Sequence, residues 1–249
     1  NKRSRRIFKY NIMAKTTIEL PSKLEKTCWF YEGNEKLIDP HLGKFYISYS
    51  TVSSWEDYRS DFIKQKLAGI KLPDSIYGAF GTWVGTSVEH GEVQPNNYGF
   101  TGEENINLIK RTENDKYERM ILIDRGEYCI IGFIDIMREI SPMVAQVADI
   151  KTGGAKKEEE YKKESYIQTT LYSNALEREG YKIDASGVWF CRRTGSHIKP
   201  PLNLSTEQFY IPLEYSVKRV KYALDKVDRV VKEISEYYKV YQKYFGTNN

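Results

Sequence analysis

Residues 147–154, Val-Ala-Asp-Ile-Lys-Thr-Gly-Gly, set two ionisable side chains inside an otherwise apolar, strand-like run. Asp149 and Lys151 are two positions apart, so on a β-strand both point to one face while Ile150 points to the other. A carboxylate removed from water without a partner costs several kcal/mol or changes its protonation state. This stretch therefore predicts a strand that carries a functional site on one face.

Two flanking stretches add polar groups to the same predicted site. Residues 132–135, Gly-Phe-Ile-Asp, place Asp135 on a hydrophobic strand, where it either pairs with an arginine or binds a metal ion. Gln168 and Tyr172 lie at i and i+4 on one helical face, and by themselves they fit an ordinary polar face better than a functional one. Oxygen ligands, including the Ile150 carbonyl, suit Mg²⁺ and Mn²⁺.

The order of elements predicts an α/β fold with a mixed central sheet flanked by helices. Hydrophobic periodicity predicts strands over 120–124, 127–138, 143–151, 183–193 and 207–213, and helices over 51–67, 76–91, 103–111, 156–179 and from 214 to the end. Consecutive strands favour antiparallel pairing, whereas the strand–helix–strand passage favours a crossover and a parallel pair. We divide the chain into a basic tail and irregular lead-in (1–45), a central domain (46–213) and a C-terminal helix (214–249).

The last of these segments contains a heptad pattern of apolar residues, which leaves two interpretations open. Val217, Leu224, Val231 and Tyr238 recur every seven residues, with further apolar residues between them. We favour a long helix laid across the domain; the alternative is a coiled coil that dimerises the protein.

Composition excludes several classes of protein. The chain has 249 residues, 29% of them charged and 40% hydrophobic, which is typical of a soluble globular protein. No apolar run reaches the ~20 residues of a membrane-spanning helix. Three widely spaced cysteines, Cys28, Cys129 and Cys191, argue against a disulfide framework, a structural zinc site and a four-cysteine iron–sulfur cluster. We therefore expect an intracellular, cytoplasmic protein. The net charge of +4 permits a nucleic-acid partner without requiring one.

Taken in chain order, these motifs resemble those of the PD-(D/E)XK nuclease superfamily. The order is His90, Gly132-x-x-Asp135, Asp149-x-Lys151-Thr152-Gly153 and Gln168-x-x-x-Tyr172. More narrowly, residues 47–193 resemble the RecB-type nuclease domain and single-domain phage-type exonucleases that lack an iron–sulfur cluster. The resemblance implies a restriction-endonuclease-like core.

The resemblance also implies a role for each motif residue. Asp135, Asp149 and the Ile150 carbonyl would bind one or two Mg²⁺ or Mn²⁺ ions, and His90 would be a further ligand. Glu89, its neighbour, competes with His90 for that role. Lys151 would position the nucleophilic water. Gln168 and Tyr172 would belong to the catalytic group by supporting the lysine, and they would also contact DNA. The other expected nucleic-acid-binding residues are Arg192, Arg193, Lys156 and Lys162.

We therefore expect a metal-dependent DNA exonuclease that acts on single- or double-stranded ends in replication, recombination or DNA processing. An origin in a phage, with action in the bacterial cytoplasm beside replication or recombination proteins, is part of this hypothesis. The alternatives are an endonuclease of the same fold and a noncatalytic nucleic-acid-binding protein that retains the fold. The sequence leaves polarity and oligomeric state open.

Overall fold

The structure is a computed structural model, and it describes residues 45–68, 70, 72–73, 75–196 and 201–245. The elements in chain order are β1 (Phe45–Ser48), α1 (Tyr49–Asp57), α2 (Arg59–Phe62), a π-helical turn (Ile63–Leu67), α3 (Ile76–His90), a 3₁₀ helix (Glu103–Leu108), β2 (Asp115–Asp124), β3 (Tyr128–Ser141), β4 (Val144–Gly153), α4 (Ala155–Tyr161), α5 (Gln168–Arg178), β5 (Lys182–Thr194), β6 (Asn203–Leu213) and α6 (Val217–Phe245). Within these residues no helix is both long and apolar enough to cross a membrane.

The strands form one mixed sheet in the order β1-β3-β4-β5-β6, and β2 also pairs with β3. Strands β3 and β4 are antiparallel, β4 and β5 are parallel across the helical crossover, and β5 and β6 are antiparallel. The edge strand β1 runs parallel to the first residues of β3. The predicted α/β class with a mixed sheet, flanking helices and a C-terminal helix is therefore confirmed.

The predicted single helix over residues 156–179 is wrong, because the chain forms two helices there. Helix α4 ends at Tyr161, α5 begins at Gln168, and residues 162–167 form a loop between them. Tyr166 and Ile167 are 5% and 1% exposed, so the loop turns inward to bury both side chains. Burial of this apolar surface outweighs the helical hydrogen bonds that a continuous helix would have made.

The contacts divide the chain into two compact units. The first consists of Asn1–Leu72, Leu122–Gly132 and Tyr222–Asn249, of which residues 1–44, 69, 71 and 246–249 lie outside the described part. In this unit Ser48 caps α1 by accepting a hydrogen bond from the Thr51 amide. The predicted boundaries at residues 45 and 213 stay predictions.

Helix α6 buries two of its four heptad residues within the single chain, whereas Val217 is 88% exposed and Val231 is half-buried. Leu224 and Tyr238 are buried, and so are Val227 and Ile234 between them. Within the first unit, Glu233 accepts a hydrogen bond from the Trp55 indole at 2.9 Å. These contacts favour the long packed helix over the coiled-coil interpretation.

The second unit consists of Pro73–Ile121 and Phe133–Lys221, and its core lies between α3 and the sheet. Phe80, Val84 and Val88 of α3 pack in one cluster with Ile136 of β3 and Ile150 of β4. The spacing of the three α3 residues gives the helix an apolar face, which holds it against the two strands from which the acidic residues project.

Two glycines of α3 serve its packing and its termination. A Cβ added at Gly81 would lie 3.4 Å from Thr152 Oγ1, so α3 lies close to β4 at this residue. Gly91 ends the helix in the left-handed conformation, with φ of 73°.

Candidate active site

Strand β4 brings Asp149 and Lys151 into direct contact on one face of the sheet. Lys151 Nζ lies 2.5 Å from Asp149 Oδ2, and the Asp149 side chain is fully buried while that of Lys151 keeps 27% of its exposure. Burial acts to lower the pKa of Lys151, but the charges of Asp149 and Asp135 outweigh it and raise that pKa. Lys151 is therefore a firmly protonated cation beside a buried carboxylate.

Asp135 joins this pair from the antiparallel strand β3. Its Oδ2 accepts a hydrogen bond of 2.6 Å from the Ile150 amide of β4. Burial and the charge of Asp149 raise the pKa of Asp135 well above its ordinary value, and Lys151 only partly opposes them. The two carboxylates therefore repel each other, and the single amine of Lys151 does not neutralise both.

The two oxygens of Asp149 have different environments. Oδ2 pairs with the Lys151 ammonium and accepts a hydrogen bond of 2.6 Å from the Tyr166 hydroxyl. Oδ1 is buried and has no hydrogen-bond partner among the described residues. A buried acceptor without a partner is costly, so Oδ1 is the atom of this site that is suited to an added cation.

Helix α5 connects its two predicted site residues to Asp149 through Tyr166. Gln168 Nε2 donates to the Tyr172 hydroxyl at 2.6 Å, and the Tyr166 hydroxyl lies 3.3 Å from Gln168 Oε1. Burial and the charge of Asp149 raise the pKa of Tyr172, which keeps its hydroxyl neutral. Sequence reasoning missed Tyr166; the polar run Lys162-Lys163-Glu164-Ser165 before it could have indicated the loop that carries it.

Two further acidic residues, Glu118 and Glu89, interact electrostatically near Asp149. Burial raises the pKa of Glu118 on β2, and the charges of Glu89 and Asp149 raise it further. Glu118 also has φ of 48°, a left-handed conformation that is strained for a side-chain-bearing residue. The sequence did not single out Glu118, because nothing in the residues around it predicts such a backbone.

His90 is not brought to the acidic group. Its exposed ring lies on the last turn of α3, with Nδ1 2.8 Å from the Thr86 carbonyl oxygen of the same helix. The preceding residue, Glu89, faces the Glu118 side instead, because neighbouring residues on a helix point in different directions. The ligand role of His90 stays a prediction without a supporting contact.

The four basic residues expected to bind nucleic acid differ in whether their charge is already paired. Arg192 lies 3.2 Å from Glu158 Oε2 and 3.2 Å from Glu207 Oε2. Lys162 pairs with Glu158 and Glu159, each at 2.8 Å. The Arg193 guanidinium stacks over the Tyr77 ring at 4.1 Å, and Lys156 is exposed on α4. The structure therefore places Arg192 and Lys162 in ion pairs that a nucleic-acid phosphate would have to displace.

The donor set fits a divalent cation that keeps part of its water shell. Within the described residues no three His, Cys, Asp or Glu side chains lie close enough together to hold a metal ion by themselves. Mg²⁺, however, usually binds through one or two carboxylates together with water and substrate phosphate. Asp135 and Asp149 supply two carboxylates, and the unpartnered Oδ1 of Asp149 supplies an open acceptor.

No protein-family model and no curated protein matches the chain, but several solved structures are similar to it. The alkaline exonuclease LHK-Exo from Laribacter hongkongensis is 15% identical, over 86% of this chain and 95% of that chain, with a TM-score of 0.43. Its complex with dAMP gives 14% identity over 81% and 93%, with a TM-score of 0.44. A candidate exonuclease from Eubacterium rectale gives 14% identity over 76% and 82%, with a TM-score of 0.47. Similarity at this level assigns neither a family nor an activity to the chain.

Proposed function

We propose that this chain is a metal-dependent DNA exonuclease of the PD-(D/E)XK type. The observation that carries the proposal is the buried Asp149 carboxylate, which has one oxygen paired with Lys151 and the other without a partner among the residues that the structure describes. Asp135 adds a second carboxylate in electrostatic contact with the first. Such a group lacks positive charge, which a divalent cation would supply.

Asp135 and Asp149, with the Ile150 carbonyl, would hold Mg²⁺ or Mn²⁺. The bound ion would supply electrophilic activation of the phosphodiester and of the attacking water. Lys151, fixed by its contact with Asp149, would orient that water and stabilise charge on the attacked phosphate. Gln168 and Tyr172 would support this arrangement through Tyr166 and contact the DNA backbone.

DNA would be attracted by cations near the site. Lys156 is exposed on α4 and can meet a phosphate directly. Lys162 and Arg192 would exchange Glu158 for phosphate, so their contribution to binding would be smaller and strongly dependent on salt. We propose that the activity serves replication, recombination or DNA processing. We also propose that a phage encodes the chain and that it acts in the bacterial cytoplasm.

An endonuclease of the same fold is the nearest alternative, and a noncatalytic DNA-binding protein is the next. Sequence-specific cleavage normally requires an element that reads base edges, and the sequence motifs include none, which favours the exonuclease. The direct contact of Lys151 with Asp149 favours a catalyst over a binding protein, because binding alone has no need of a buried carboxylate near the anionic DNA.

Digestion of three DNA substrates tests the proposal. With Mg²⁺ or Mn²⁺ the chain is expected to degrade an end-labelled linear duplex or its separated strands, and to leave a closed circle intact. EDTA is expected to stop the reaction. The Asp184→Asn protein is expected to keep this activity, because it changes an exposed aspartate of β5 that accepts a hydrogen bond from Gln146. Cleavage of the circle would favour the endonuclease, and DNA binding without hydrolysis under all conditions would contradict the assignment.

Removing one hydroxyl tests the contact that sequence reasoning missed. The Tyr166→Phe protein is expected to turn over DNA roughly 10- to 100-fold more slowly, because the phenol no longer holds Oδ2 of Asp149 in its orientation. Single-turnover rates and calorimetric titration with Mn²⁺ would both report the loss. Tyr210→Phe is the matched control, since it removes a hydroxyl that bonds the Val147 carbonyl at 3.3 Å. Equal rates and equal Mn²⁺ affinities for the two variants would show that Tyr166 has no positioning role.

A further inference from the structure

A cavity of about 470 Å³ lies beside α3, away from the acidic group. One wall is the helix surface that carries Thr82, Trp83 and Thr86, and the other is the loop that carries Asn96, Asn97 and Tyr98. None of the described residues that line it is charged. In a chain with 29% charged residues, an uncharged lining indicates a ligand group that is itself uncharged.

An exposed aromatic ring forms one wall of this cavity. The Tyr98 ring stacks on Phe100, with centroids 5.2 Å apart and an angle of 14° between the planes. Tyr98 is 53% exposed, whereas Phe100 is 3% exposed. Gly99 between them has φ of 70°, which a glycine adopts without strain. Phe100 therefore fixes one face of the Tyr98 ring and leaves a flat surface available for stacking.

The rest of the wall is held in place and still offers hydrogen-bonding groups. Asn96 accepts from the Phe100 amide at 2.8 Å, and the Trp83 indole donates to the Gln94 carbonyl at 2.8 Å. Asn97 is exposed, and its side-chain amide can both donate and accept. The Thr86 hydroxyl donates to the Thr82 carbonyl and keeps lone pairs for an incoming donor. Flat stacking surface together with amide and hydroxyl groups matches the edge and face of a nucleobase.

We propose that this cavity binds one unpaired nucleobase of a DNA strand, stacked on Tyr98 and hydrogen-bonded by Asn97. The inference rests on the proposed nuclease function, which supplies DNA as the ligand. The cavity lies on the same side of the sheet as α3, because Thr82 and Thr86 of this helix line it and Gly81 lies against Thr152 of β4. Base–aromatic stacking tolerates any sequence, so the cavity would select unpaired strands rather than a particular base.

Binding in EDTA tests the inference without cleavage. Fluorescence anisotropy of a short labelled single strand is expected to show roughly 5- to 100-fold weaker binding for Tyr98→Ala, the usual cost of removing one stacking ring. Tyr98→Phe keeps the ring and is expected to bind within about twofold of the natural chain. Tyr58→Ala is the matched control, because Tyr58 is 59% exposed and does not line the cavity.

A strand with one abasic nucleotide, moved stepwise along the oligonucleotide, identifies the base concerned. At one position the abasic strand should bind the natural chain as weakly as Tyr98→Ala binds the intact strand, and the two changes together should add nothing further. Additive losses at every position, or unchanged binding by Tyr98→Ala, would overturn the inference. If the natural chain hydrolyses DNA and Tyr98→Ala binds the strand normally, the base site is wrong and the nuclease stands. If the two changes give a non-additive loss of binding but the natural chain hydrolyses no DNA, the base site is supported and the nuclease is contradicted.

Discussion

Replacing Lys151 with methionine is expected to slow DNA hydrolysis on the order of 10²- to 10³-fold, the usual cost of losing one group that stabilises transition-state charge. The protein should also lose about 3 kcal/mol of stability, because Asp149 would stay buried after its cation is removed. Thermal denaturation in EDTA and single-turnover digestion would measure the two effects. Added Mg²⁺ should raise Tm more for this variant than for the natural chain, since a bound cation replaces the lost charge.

Lys156→Met is the matched control for this experiment. Lys156 is an exposed lysine of α4, five residues further along the chain, and it has no described contact with Asp149. Its loss should weaken DNA binding modestly at low salt and leave both Tm and single-turnover hydrolysis near those of the natural chain. If both lysine variants hydrolyse DNA at the natural rate, the catalytic role of Lys151 is wrong.

Replacing Asp135 with asparagine is expected to abolish hydrolysis and, in EDTA, to raise the thermal stability of the protein. The asparagine can still accept the Ile150 amide hydrogen bond, but it removes a negative charge that Asp149 repels. The scale would be a few degrees, since about 1 kcal/mol moves Tm by roughly 2–4 °C in a chain of this size. Calorimetry with and without Mg²⁺ would measure it, and the ion should stabilise the natural chain more than the variant.

The dependence of this difference on pH follows from the raised pKa of Asp135. An acid whose pKa is higher in the folded state binds its proton more tightly there, so stability falls as pH rises between the unfolded and folded pKa values. The gain from asparagine should therefore grow as the pH rises from the ordinary pKa of 3.8 toward the raised pKa of the folded state, and disappear below 3.8, where the natural side chain is also neutral. A variant that is less stable than the natural chain at neutral pH would contradict the repulsion between the two carboxylates.

Local patterns were enough to predict the central strand of the site. The spacing of Asp149 and Lys151 alone puts both side chains on one face, and the 2.5 Å contact between them follows from that geometry. The parallel pairing of β4 with β5 was also predictable, because a helix between the two strands implies a crossover connection.

The missed features depend on contacts between residues far apart in the chain. Tyr166 reaches Asp149 only because the helix breaks at residues 162–167 to bury apolar surface, and no local signal as strong as a proline or glycine marks that break. The ion pairs of Arg192 with Glu158 and Glu207 join residues from three different elements. The catalytic and metal-binding roles of the site residues stay predictions.

The loop between α4 and α5 limits where the chain can be engineered. It carries Tyr166 to Asp149 and positions Gln168 as the first residue of α5, so its length determines where both side chains lie. A fluorescent label, affinity tag or inserted peptide would be expected to disturb the carboxylates if placed there. The exposed turn between β2 and β3 offers a safer attachment point for single-molecule or pull-down experiments, at Glu127 rather than at Gly126, whose φ of 86° would strain an added side chain.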